Sequence, residues 1–267
     1  MRTLPLDDEE YPMSSEDKGR VLIINNMNFE DKEDPREGSE IDEQELRELF
    51  ESFKFRVNVE KNLTAEDMEE RVKQFASSSD HANASCAFVI VLTHGNSGVL
   101  VGTDGNYIEE SMPRRYGSKK ETYVWKDLSL LGQRDTGYTV KNPVHPNVER
   151  VETDGSQETP TIPEAADFLV FRATTDKYVS LRQPRRGSWF IQTICNVFKN
   201  CAQSHDVLSM YTKVNNLVSQ LEWVNRKQMP EFTSRLRKNF YLFPPEERTT
   251  ACTCSTRNAS FNNSTSW

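Results

Sequence analysis

CAFVIVLTHG, residues 86–95, is apolar without a break from Ala87 to Leu92 and then stops in Thr93-His94-Gly95. A parallel strand buried on both faces reads as such a run, and the glycine lets the chain turn sharply at its carboxyl end. Open α/β sheets bind their ligands beyond the carboxyl ends of strands, so His94 stands where chemistry is commonly done. A lone histidine at a strand end is more often a cap than a catalyst. The reading turns on what else in the chain joins it.

Upstream, Val21 to Asn25 (VLIIN) predicts a second short buried strand, followed by a charged loop, Glu30 to Gly38, that holds Pro35 and Arg36. Ser39 reads as an N-cap and Asp42 as a first-turn carboxylate for a helix whose Ile41, Leu46, Leu49, Phe50 and Phe53 recur at helical spacing. Phe55 to Val59 alternates as a strand. Thr64 and Asp67 approximate a capping box for a helix with Met68, Val72 and Phe75 along one stripe. Beyond His94, Val99 to Ile108 contains Asp104-Gly105, which predicts the tip of a small hairpin. Strand–helix–strand–helix–strand is the order of a parallel α/β sheet.

Residues 109–161 differ in character: they are polar, charged and punctuated by proline, with Tyr123 to Leu131 (YVWKDLSLL) as one candidate strand and Glu149 to Pro160 as a linker. Order returns at Asp167 to Phe171, a buried strand, and Tyr178 to Gly187 is a basic loop with Arg182, Arg185 and Arg186. Ser188 reads as the cap of a helix with Phe190, Ile194, Val197, Phe198 and Cys201 on one face. A further amphipathic helix runs from Val207 to about Leu221, and Lys238 to Phe243 alternates into an expected last strand.

Composition sets outer bounds. The 267 residues allow one large core with tails, and no apolar run approaches the ~20 residues of a membrane span. A net charge of −8 argues against nonspecific nucleic-acid binding. The acidic, polar start is no secretory leader, and 1–18 and 246–267 read as disordered tails. The five cysteines lack metal spacing, Cys252 and Cys254 included. They read as reduced thiols of a cytoplasmic or nuclear protein.

Several stretches, in order, resemble the caspase family of cysteine peptidases. They are Arg36 to Phe50 (R-x-G-S-x-x-D-x-x-x-L-R-x-L-F) after VLIINNMNF, Phe88 to Gly105, Asp167 to Phe198, and Gln228 to Pro244. Their wording is that of the nematode cell-death branch. The resemblance divides the chain into a large-subunit-like region, 19–108, a divergent segment with linker, 109–161, and a small-subunit-like region, 162–245. Only a short tail precedes the first strand, so a long recruitment domain is expected to be absent. The fold the resemblance implies is a three-layer sandwich, a mostly parallel six-stranded sheet flanked by helices, with the active-site strand region rewritten. It implies neither metal nor other cofactor. The implied chemistry is attack of a thiolate on the carbonyl after aspartate, with a histidine moving protons and a glycine N–H binding the oxyanion. By motif match His94 and Gly95 take those two parts, and Arg36 and Arg182 are the guanidiniums that would hold the substrate aspartate, a pairing suited to bidentate geometry.

The family's cysteine lies about 50 residues after the histidine, in Q-A-C-x-G. No cysteine occurs between Cys86 and Cys195. Cys86 is eight residues back along the strand of His94, ~26 Å at the strand rise. Cys195 and Cys201 read as buried helix residues. LSLLG stands in the place of Q-A-C-x-G, which puts Leu130 at the nucleophile and Leu128 at the glutamine, with Ser129 between them. A leucine cannot be acylated. The expected protein is an inactive, caspase-like regulator of cell death that docks with an active caspase or its zymogen, or with a second copy of itself, through Phe240, Tyr241, Leu242 and Phe243 at the dimer edge. Ser180-Leu181-Arg182-Gln183 departs from the family's S-W-R-N and removes an aromatic wall of the cleft. Val151 to Gly155 (VETDG) reads as a cleavage sequence, cut after Asp154. Two other readings stay open: a peptidase with another nucleophile, Ser129 included, and a chain that folds poorly because its central strand is lost.

Overall fold

A computed structural model of the chain describes residues 10–14, 16–30, 35–95, 98–109, 122–129 (backbone), 167–175 and 179–249. Strands β1 (Gly19–Asn25) and β3 (Cys86–His94) are buried along their whole length and pair in parallel, from Gly19 against Cys86 to Asn25 against Leu92. Because side chains alternate between faces, the run splits cleanly in two. Val21, Ile23, Phe88, Ile90 and Leu92 enter one core, and Leu22, Ile24, Ala87, Val89 and Val91 enter the other. Each such side chain contributes roughly 1.5–3 kcal/mol on burial.

The first core is roofed by α1 (Ser39–Ser52), α3 (Trp189–Cys201) and α4 (Val207–Gln220), through Leu46, Leu49 and Phe50, Phe190, Ile194 and Phe198, and Met210, Tyr211 and Val214. The second lies under α2 (Ala65–Ala76), through Met68, Val72 and Phe75. With β2 (Arg56–Lys61), β6 (Thr122–Ser129), β7 (Phe168–Arg172) and β10 (Glu231–Ser234), the sheet runs β10-β7-β6-β3-β1-β2. Every pairing is parallel except β10 on β7. This is the expected three-layer sandwich. β6 lies between β3 and β7, so the reading in which the central strand is lost is overturned.

Smaller features follow local chemistry. β4 (Val99–Val101) and β5 (Tyr107–Glu109) form the hairpin around Asp104-Gly105. The Thr64 hydroxyl oxygen accepts the Asp67 N–H at 3.1 Å and the hydroxyl donates to the Asp67 carboxylate at 2.7 Å at the start of α2, and Ser188 accepts from the Ile191 N–H at the start of α3. β8 (Arg182–Gln183) and β9 (Gly187–Ser188) close the basic loop into a tight antiparallel turn.

Four expectations are corrected. The last strand is Glu231–Ser234 and not the 240–243 segment, whose Phe240, Leu242 and Phe243 are buried in the first core. Those side chains are therefore unavailable as an exposed dimer edge. The loose tail expected up to residue 18 is pinned from Glu10 onward. Tyr11 is buried and donates to Asp167 at 2.6 Å, and buried Lys18 pairs with Glu247 at 2.7 Å with its ammonium 3.7 Å from the Phe243 ring centre. Gly38, at φ 84°, caps α1 in place of Ser39. Cys86 and Cys195 are free, but Cys201 is disulfide-bonded, so the thiols are not all reduced. Among the described residues no helix is long and apolar enough to cross a membrane, and no cluster of His, Cys, Asp and Glu has the makings of a metal site.

Candidate active-site region

Two corners form at the carboxyl end of the parallel sheet, where the strands hand over to loops. The first holds His94. It is the last residue of β3, only 3% exposed, and its ring packs on Phe29 with centroids 4.6 Å apart and planes tilted by 51°. Phe29 is placed by its neighbour: the Glu30 N–H donates to the Thr103 carbonyl at 2.8 Å, tying the loop after β1 to the β4–β5 hairpin. Thr93 ties the same hairpin to β3, its hydroxyl donating to the Val101 carbonyl at 2.6 Å. Gly95 is buried behind His94. On the neighbouring strand, Leu128 lies in register with Thr93 and Ser129 with His94.

The second corner holds the two arginines. Arg36 is fully buried, and its Nη1 donates to the Ser39 hydroxyl at 2.8 Å. That hydroxyl donates in turn to Asn25 Oδ1 at 2.6 Å, and Asn25 Nδ2 donates to Glu43 at 2.8 Å. Asn25 is the last residue of β1, so the guanidinium is fixed to the sheet through one hydroxyl and one amide. Arg182 reaches the same loop from the other half of the chain: its Nε donates to the Glu37 carbonyl at 2.9 Å. Its Nη1 is buried with no hydrogen-bond partner. The two loops touch at Gly38, where a Cβ would lie 2.6 Å from the Gln183 carbonyl oxygen. The close approach and the positive φ both require glycine there.

Asp42 completes this corner. It is buried and accepts the Ser188 N–H on both carboxylate oxygens, at 2.8 and 3.0 Å. A Cβ on Gly187 would stand 2.2 Å from Asp42 Oδ1. Behind the loop, Gln228 bridges the Leu181 N–H at 2.9 Å and the Ala173 carbonyl at 2.7 Å. The hydroxyls of Thr174 and Ser180 are buried with no hydrogen-bond partner.

Arg36 and Arg182 thus come together, and His94 stands at the same end of the sheet. The free cysteines stand elsewhere. Cys86 begins the strand that His94 ends, and its thiol donates to the Lys18 carbonyl at 3.4 Å. Cys195 lies in α3 within the first core, where burial pushes its thiol far above the usual range. Leu130 and Asp154 lie outside the described residues. Phe29, Ser39, Asp42 and Gln228 were not singled out as site residues from the sequence. Only Ser39 and Asp42 carried a local signal, and both were read as helix-start chemistry, since their partners lie 14 and 146 residues away.

Comparisons with known proteins give the family. The pattern of the caspase domain (peptidase family C14) matches residues 18–241. The chain is 32% identical to caspase-7 of Gallus gallus over 248 residues, covering 87% of this chain and 80% of that protein. It is 31% identical to cell death protein 3 of Caenorhabditis remanei over 271 residues, covering 88% of this chain and 52% of that protein. The crystal structure of caspase-1 from Spodoptera frugiperda superposes with a TM-score of 0.76 at 25% identity, covering 91% of this chain and 97% of the other.

Proposed function

The chain belongs to the caspase domain family, and from that premise we propose that it is a member without peptidase activity that restrains cell death by binding a caspase zymogen. The observation that carries this reading is an asymmetry of parts. The arginine corner is held by Ser39, Asp42 and Gln228, whereas no cysteine occurs in the 108 residues between Cys86 and Cys195. Without a thiolate beside His94 the family's acylation step has no nucleophile. His94 and Gly95 are then vestiges, and Arg36 and Arg182 keep the means to hold a carboxylate without a way to cut beside it.

Caspase family members act as dimers and interact with other caspases. The surface proposed for that contact is the edge strand β10. Its residues are largely exposed, with Phe232 at 38%, and an unpaired strand edge is a template for another chain. Occupation of one zymogen by this chain would leave that zymogen without its normal partner. The test is co-purification with a cell-death zymogen followed by a self-processing assay. The zymogen should convert more slowly as the inhibitor rises to excess; an unchanged rate overturns the reading. The same digestion with active caspase should cut the chain after Asp154, and Asp154→Ala should leave it intact.

One observation favours a second reading. Ser129 stands in register with His94 across β3 and β6, a serine and a histidine on neighbouring strands at the carboxyl end of the sheet. Turnover of an aspartate-reporter peptide that is lost in both Ser129→Ala and His94→Ala would establish a Ser–His peptidase in place of the inactive regulator.

A further inference from the structure

The polar chain behind Arg36 does not stop at Asn25. Glu43 receives the Asn25 amide on Oε2 at 2.8 Å and pairs through Oε1 with Lys61 Nζ, also at 2.8 Å. Local geometry brings these groups together. Ser39 and Glu43 are four residues apart on α1 and so share one face of that helix. Asn25 and Lys61 end β1 and β2 in register, and the Asn62 N–H donates to the Asn25 carbonyl at 3.0 Å. Arg36, Ser39 and Asn25 are wholly buried, whereas the side chain of Glu43 is 11% exposed and that of Lys61 is 51% exposed. A single line of polar contacts therefore runs from the β2 edge of the sheet to the Arg36 guanidinium.

The hydrogen bonds along this line all point one way. A carboxylate only accepts, so the group that Asn25 turns toward Glu43 is its NH2. That leaves Asn25 Oδ1 toward Ser39, whose hydroxyl donates to it at 2.6 Å, and the Ser39 oxygen is left to accept from Arg36 Nη1 at 2.8 Å. The Ser39 carbonyl, 3.3 Å from Asn25 Nδ2, favours the same setting of the amide. Turned over, the amide would set its oxygen against a carboxylate and a carbonyl. Its NH2 would then donate to the Ser39 hydroxyl, which would be free to aim its own proton at the guanidinium. Opposed or unmade hydrogen bonds are costly in so buried a place.

We propose that Glu43 is a positioning residue for Arg36, acting through Asn25 and Ser39. As the member of the line that can only accept, it fixes the setting of the Asn25 amide, and the amide in turn makes Ser39 an acceptor for the guanidinium. Lys61 holds the other oxygen of the same carboxylate from the surface. The ligand affected is the aspartate carboxylate assigned to Arg36 above, so the inference rests on that reading of the corner.

The test uses the full-length chain and two variants of similar volume. Glu43→Met removes the acceptor, and Glu43→Gln keeps an amide oxygen that can take its place. The probe is a fluorescein-labelled tetrapeptide ending in aspartate, with the same peptide ending in asparagine as blank. Glu43→Met should weaken binding of the aspartate peptide about tenfold, and Glu43→Gln should restore it to within about twofold of the native chain. Hydrogen exchange at the Asn25 side-chain amide, read by 15N NMR, supplies a signal independent of any ligand. Its Nδ2 protons should be protected in the native chain and in Glu43→Gln and lose protection in Glu43→Met. An unprotected amide in the native chain overturns the proposal. So does a folded Glu43→Met chain that keeps the protection and the native affinity, or a Glu43→Gln chain that recovers neither. A native chain that binds the aspartate and asparagine peptides alike overturns instead the role given to Arg36, and the amide signal then decides for or against Glu43 by itself.

Discussion

The arginine corner and the histidine corner lie at the same end of one sheet, yet they are built differently. Around Arg36 and Arg182, side chains from α1, β1 and the loop after β10's predecessor α4 meet through Ser39, Asn25, Asp42 and Gln228, and two glycines are fixed by close approach. Around His94 the corresponding strand β6 brings Leu128 and Ser129 into register, and the ring itself rests on Phe29. Under the proposed function, holding a carboxylate and breaking a bond draw on different residues, so one would persist where the other has no reagent.

The largest effect should come from breaking the arginine corner. Gly187 has φ 82° and no room for a Cβ beside Asp42, so Gly187→Ala should cost about 3 kcal/mol through left-handed backbone strain and overpacking together. Urea unfolding should show the loss in the midpoint at constant slope, and binding to the zymogen should weaken with it. A smaller effect should come from the other corner. His94→Ala removes a ring packed on Phe29, worth about 1 kcal/mol, and should leave peptide hydrolysis at background and zymogen binding unchanged. If binding falls as far as in Gly187→Ala, the two corners are not separable.

The smallest effect is a control away from both. Burial pushes the Asp167 carboxyl up, but hydrogen bonds from Arg237 and Tyr11 and the charge of Arg237 outweigh it and hold it below its ordinary value. A depressed carboxyl contributes stability above its unfolded value, near pH 4, and loses it as pH falls through the folded value. Thermal midpoints of Asp167→Asn and the native chain should therefore differ at pH 7 and converge in stronger acid.

Much of the fold was legible because β1, β3, α1 and α2 advertise themselves by period. The two ends of the chain were not. Phe240, Leu242 and Phe243 alternate like a strand, yet their chain fills the core in irregular form, while Glu231–Ser234, with a charge and two hydroxyl groups, pairs with β7 because an edge strand needs only one neighbour. Tyr11 and Lys18 look like tail residues because their partners, Asp167 and Glu247, are 156 and 229 positions away. At the candidate site, the family resemblance pointed to His94, Arg36 and Arg182 but carried no signal for Phe29 or Gln228, whose contacts depend on which loops meet.

The two edges of the sheet are unlike, and that limits how copies can add. β2 runs parallel to its neighbour and presents Arg56, Asn58 and Lys61 outward, a border whose charges discourage a further strand. β10 runs antiparallel and offers the barer border. A sheet with a single adhesive side has a valency of one: a chain that joins another through it consumes the only site for growth, and association stops at pairs where a two-sided sheet would extend into fibres.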